Sequence, residues 1–245
     1  MRKPTSNTTE AKPPNGTSAA GSRAARRMLW GVVALVVLYT ALDGVAQVLP
    51  PHYSPISQAE SDLAVGPYGY IMTINFVNRG VLSLLFILGF AGALRLAGGR
   101  LGRYTGGVVL LGVWGICAFL LAGFPTDVPS TPMTWHGAIH MVVALVAFVA
   151  GALGTLWVSL RIRSDRALSG ARTFAVPISI IAVISLVLLF GTLSAAIFGL
   201  VERVFIGSVL LWMLAMSVYL SGSASMSARH DTQDVVPSIG RQAVD

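Results

Sequence analysis

The sequence predicts an all-α fold, a six-span transmembrane helix bundle with both termini cytoplasmic. Three observations predict it. Of the 245 residues, 54% are apolar and only 11% charged, against roughly a quarter charged in soluble domains; the mean hydropathy is +0.73. Six apolar runs reach the roughly 20 residues that cross a bilayer core, and runs of that length are helices because lipid satisfies no open sheet edge. Basic residues alternate between the segments joining these runs: fifteen of the 17 Lys and Arg fall on one side, and Arg79 and Arg203 on the other.

The elements follow in order. Residues 1–27, rich in Pro, Ser, Thr, Asn and Gly, are expected to form a disordered cytoplasmic tail. The tail ends in Arg23, Arg26 and Arg27. The run Met28–Leu49 exceeds the apolar region of a signal peptide and reads as an uncleaved first span. The remaining spans are Thr73–Leu96, Tyr104–Gly123, Gly137–Leu160, Phe174–Leu193 and Arg203–Ser221, with a tight link around Ile197–Glu202. Residues 28–221 thus form one transmembrane domain, and 222–245 a second disordered cytoplasmic tail. The Lys and Arg bias puts the N-terminus inside. Gly89, Gly92, Gly106, Gly107, Gly112, Gly151 and Gly154 are expected at helix contacts, where small residues let backbones approach.

The net charge of +7 does not indicate a nucleic-acid partner. The basic residues sit in short clusters at helix ends, not on one soluble face. They suit anionic headgroups, so membrane lipids are the expected partners. Cys117 is the sole cysteine and forms no intrachain disulfide. A composition heavy in Arg, Ala and Gly suits a bacterial chain, placed in the cytoplasmic (plasma) membrane.

Polar residues gather at the outward end of the predicted bundle, where three of the four histidines lie. Asp43 sits about 9 Å inside the first span at 1.5 Å per residue, where a carboxylate needs a partner or a proton; Arg79 and Arg203 are the available cations. Asn75, Asn78 and Arg79 share one helix face. Pro125 and Pro129 stop the third helix, and Thr134 is placed to cap the fourth. His136 and His140, one turn apart, have the spacing of a metal-binding pair, with His52 or Asp127 as further ligands. Glu202 and Arg203 open the last span as an ion-pair latch. The pocket candidates are therefore Asp43, Asn78, Arg79, Asp127, His140, Glu202 and Arg203, with His136 and His140 as metal candidates. No catalytic set is legible.

Three stretches resemble a known family. Gly66-Pro67-Tyr68-Gly69 with Asn78-Arg79-Gly80, then Phe124-Pro125-Thr126-Asp127 with Gly137-Ala138-Ile139-His140, then Gly199-Leu200-Val201-Glu202-Arg203 with Trp212, are similar in order to the bacterial membrane proteins catalogued as domain of unknown function 998. The resemblance spans Leu29 to Leu220. It implies a six-span bundle and brings no activity or catalytic residues. The expected function is to bind a ligand, lipid headgroup or partner in an outward-facing polar pocket. The alternatives are a metal-dependent intramembrane hydrolase of a lipid-like substrate, with zinc as its cofactor, a proton-coupled transporter using Asp43, and a single haem between His140 and another outward-side histidine.

Overall fold

The computed structural model describes residues 16–49, 53–128, 130–163, 165–192 and 196–233. Its long helices are α1 (Gly16–Val48), α2 (Gly69–Leu96), α3 (Thr105–Gly123), α4 (Trp135–Ile162), α5 (Arg172–Gly191) and α6 (Phe198–Gln233), with short 3-10 turns at Glu60–Ala64, Leu101–Tyr104 and Arg166–Ala171. Six helices are long and apolar enough to cross a membrane, and no strand occurs among the described residues. Each helix packs on the next in chain order, α6 returns against α1, and α2 touches α6 across the ring. Helices α2 and α6 are accordingly the most buried.

Helix ends differ from the sequence expectation at three places. Helix α1 begins at Gly16, inside the stretch expected to be a disordered tail. Its first turns are rich in Ala and Arg, both strong helix formers. Ala25 is buried, and its side chain would lie 2.9 Å from a Cβ placed on Gly92 of α2. Helix α6 likewise begins at Phe198, earlier than Arg203, and runs to Gln233, past Ser221. Six of the seven expected contact glycines lie within 3.1 Å of a neighbouring helix's atoms by the same measure; Gly112 makes only ordinary contact at 3.7 Å.

The core is aromatic. Phe86 stacks on Phe90 at 5.8 Å between centroids and lies 5.5 Å from Trp212, while Trp114 meets Phe205 edge-on at 6.1 Å. One hydroxyl ties three helices: Trp212 Nε1 of α6 donates to Ser159 Oγ of α4 at 2.8 Å, and Ser159 Oγ reaches Ala175 O of α5 at 3.0 Å. Removing the indole donor leaves that buried hydroxyl with an unmet lone pair and a smaller neighbour. Trp212→Phe is therefore expected to cost about 1–2 kcal/mol, read as a lower thermal midpoint in detergent; an unchanged midpoint would show that the tie is idle.

Candidate functional site

The site is built around the segment between α1 and α2. Residues Gly66 to Gly69 reverse the chain there. Gly66 takes a φ of +89°, which side-chain-bearing residues rarely adopt. A Cβ on Gly69 would fall 2.1 Å from Ala64 O. The first family-like stretch thus has a conformational reason, to bring the Glu60–Ala64 turn back over the bundle.

That turn is held by α6. Gly199 has no Cβ because Gln58 O would lie 2.0 Å from it. The free amide of Leu200 donates to Ile56 O at 2.9 Å, answering an orphan donor of the helix start. Arg203 Nη1 donates to Pro55 O (3.0 Å), Gln58 O (3.3 Å) and Gly199 O (3.3 Å), and Nη2 donates to the Tyr53 hydroxyl. Glu202 Oε2 accepts the Glu60 backbone N–H at 2.7 Å. Glu202 and Arg203 do form a latch, but its bonds run largely to loop backbone. The ion pair expected from the sequence is not what closes it.

Glu60 is 2% exposed. Its Oε1 accepts the Tyr39 hydroxyl at 2.7 Å, and its carboxyl is also hydrogen-bonded to that of Asp43. Burial pushes its carboxyl up to about 7, and the negative charge of Asp43 adds to the rise. Asp43 itself takes a hydrogen bond from Gln47 Nε2.

Asn75 and Asn78 anchor α2 on α1: their amides donate to Tyr39 O at 3.1 Å and Leu35 O at 3.0 Å. One residue beyond Asn78, Arg79 is 1% exposed. Its guanidinium lies 4.7 Å from the Trp114 ring centroid and 5.3 Å from that of Phe76, an aromatic cradle that favours the cation. Its Nε and Nη2 are buried with no hydrogen-bond partner among the described residues.

Asp127 has a local task. It accepts Thr134 N–H at 2.9 Å and the Thr134 hydroxyl at 2.6 Å, and these bonds hold its carboxyl below its ordinary value. Thr134 caps α4 by accepting Gly137 N–H at 3.2 Å, as its position predicted. A Cβ on Gly137 would meet Asp127 Oδ2 at 1.9 Å. The Phe124-Pro125-Thr126-Asp127 and Gly137 stretches are thus one capping unit.

The two histidines of α4 part company. His136 is half-buried, with its ring against Trp135 and 6.3 Å from Phe124. His140 is buried, and its Nδ1 donates to Phe124 O at 2.7 Å. A carbonyl accepts only, so in the neutral ring Nε2 is left as an acceptor. Among the described residues no group of three or more His, Cys, Asp or Glu is arranged to hold a metal ion; His52 lies outside the described residues.

A cavity of about 470 Å³ joins these parts. Arg79, His140, Glu60, Asp62 and Glu202, with Ser61 and Thr126, form its polar side; Asp43, Asn78, Asp127 and Arg203 do not line it. Its apolar side includes Val142, Leu145 and Phe148 of α4 and Leu189 and Phe190 of α5. Val142, Leu145 and Phe190 are also exposed on the bundle surface. The sequence candidates that meet are therefore Arg79, His140 and Glu202. Glu60 and Tyr39 were missed as site members, since a lone Glu in a loop and a Tyr in an apolar run carry no local signal.

The fold and the cluster define a polytopic α-helical membrane protein of six spans, with a buried polar group set at one end of the bundle. More particularly, residues 19–219 match the family model described as protein of unknown function DUF998, and the chain belongs to that family. Nothing among curated proteins or solved structures matches it.

Proposed function

We propose that this chain is a multi-pass protein of the bacterial cytoplasmic membrane, with both termini in the cytoplasm, that holds a lipid-like amphiphile in an outward-facing pocket. The observation that carries the reading is Arg79: a guanidinium 1% exposed, with two nitrogens unpartnered, beside a 470 Å³ cavity. A buried charge without a partner is costly, by several kcal/mol, and the anionic part of a ligand relieves that cost with charge-assisted bonds. The exposed apolar lining on α4 and α5 suits an acyl chain shared with the bilayer. The orientation rests on the Lys and Arg bias of the joining segments. A zinc hydrolase would need His136 and His140 to share an ion, whereas His136 packs on Trp135 and His140 engages Phe124 O; the ligand pocket is the reading we adopt.

The test is photo-crosslinking in phosphatidylcholine vesicles doped with a phospholipid carrying a diazirine on its acyl chain. Met72 and Ile206 line the cavity but are 1% and 4% exposed, so bulk lipid does not reach them. Label at Met72 or Ile206 in the wild type, lost in Arg79→Gln, is expected. Label confined to lipid-facing residues such as Val187 and Val109 would overturn the reading.

A further inference from the structure

We infer that the anionic group enters this pocket together with a proton held between the Asp43 and Glu60 carboxyls, so that the site loads at low pH and empties as pH rises. This rests on the reading of Arg79 as the anion's partner and adds what regulates the same site. The Glu60 and Asp43 carboxyls are hydrogen-bonded to each other. Carboxylates only accept, so that bond exists only while the pair holds a proton. No N–H or O–H of another described residue reaches Asp43 Oδ1 or Glu60 Oε2 to replace it. Glu60 also lines the cavity that Arg79 lines, and the Arg79 charge favours its ionised form.

An anion on Arg79 cancels that pull and adds a negative charge on the side of the acid pair. Both changes favour the shared proton. The anion-bound state therefore holds the proton more tightly than the empty state, and by reciprocity the proton strengthens the hold on the anion. Burial already lifts Glu60 to about 7, so affinity is highest below that pH and falls as pH rises through it.

The other groups facing the pair do not oppose this. From α1, Tyr39 donates to Glu60 and Gln47 to Asp43, and neither brings a charge. From α6, Arg203 is spent on Tyr53 and the loop carbonyls and does not line the cavity, so a ligand leaves its charge unmasked. Asp62 and Glu202 do line it, and an added anion favours their protonated forms as well. His140 of α4 is the one rival for the proton: its Nδ1 donates to Phe124 O, which leaves Nε2 as an acceptor.

The probe is short-chain phosphatidylglycerol, whose phosphodiester keeps a single charge from pH 5 to 8. Its binding to the full chain in non-ionic detergent is titrated calorimetrically across that range. Wild-type affinity is expected to fall about fivefold or more between pH 6 and 8, and heats in buffers of different ionisation enthalpy are expected to report proton uptake at pH 7. Glu60→Gln, which mimics the protonated carboxyl, is expected to lose most of the pH dependence and keep the low-pH affinity, whereas His140→Gln keeps the dependence. Should Glu60→Gln fail to fold, Asp43→Asn makes the same comparison, and the wild-type proton count stands without either. Constant wild-type affinity, or binding without proton uptake, would overturn the inference and leave the pocket. A pH dependence that survives Glu60→Gln, whichever residue removes it, would overturn the assignment to the acid pair. Binding at no pH would overturn the pocket reading itself.

Discussion

Gly199→Ala is expected to release the segment between α1 and α2 from the start of α6 and to destabilise the protein by about 3 kcal/mol or more. The added Cβ would sit 2.0 Å from Gln58 O and 2.9 Å from Pro55 O. Those atoms are backbone, so relief requires the whole segment to move. The movement also breaks the Leu200 N–H bond to Ile56 O and the Arg203 bonds to Pro55 O and Gln58 O. The matched control is Gly207→Ala on the same helix, where a Cβ meets nothing within 4 Å, and there stability should hold or rise slightly. Thermal midpoints in detergent measure the first effect. Hydrogen exchange at the amides of Leu200 and Glu60 locates it. If Gly199→Ala matched Gly207→Ala in both, the latch would be absent in solution.

The second large effect concerns pH. Glu60 has an ordinary value of 4.5, and burial, with the charge of Asp43 added, lifts it to about 7, against the opposing pull of the Tyr39 hydroxyl, Arg79 and Arg203. A raised folded-state value means that the folded protein holds the proton more tightly than the unfolded chain. The stabilisation is therefore complete below about pH 4.5 and is lost as pH rises through about 7. The titration belongs to the hydrogen-bonded Glu60 and Asp43 carboxyls together, so the stabilisation is a property of the pair. Glu60→Gln keeps an acceptor for Tyr39 and removes the Glu60 titration together with its coupling to Asp43. The wild type should therefore fall relative to Glu60→Gln between pH 5 and 8, with the gap widest above pH 7. Asp62, also raised by burial, is common to both proteins and cancels. Parallel midpoints across that range would show that Glu60 does not titrate there.

Much of the frame was legible from residues alone. Spans are set by the length of apolar runs, because an unsatisfied backbone in lipid is penalised wherever it occurs; the six runs are found as the six helices. Local chemistry was legible too: Thr134 caps α4, and Asn75, Asn78 and Arg79 are buried together on one face of α2. Helix limits were less so. The Ala25 contact extends α1, and the loop carbonyl that receives Leu200 N–H lies more than a hundred residues away in sequence.

By itself, then, the sequence determined that this chain has six helices long and apolar enough to cross a membrane, with its polar residues gathered near the arginine-poor joining segments. Only the tertiary structure decided which of them share a cavity. Asp127 is taken by Thr134, and Asn78 and Arg203 by backbone carbonyls, while Arg79, Glu60, Glu202 and His140 converge. The reason is physical. Whether a polar atom is spent depends on the carbonyl or hydroxyl that distant segments bring within about 3 Å, and hydropathy along one chain contains no such distances.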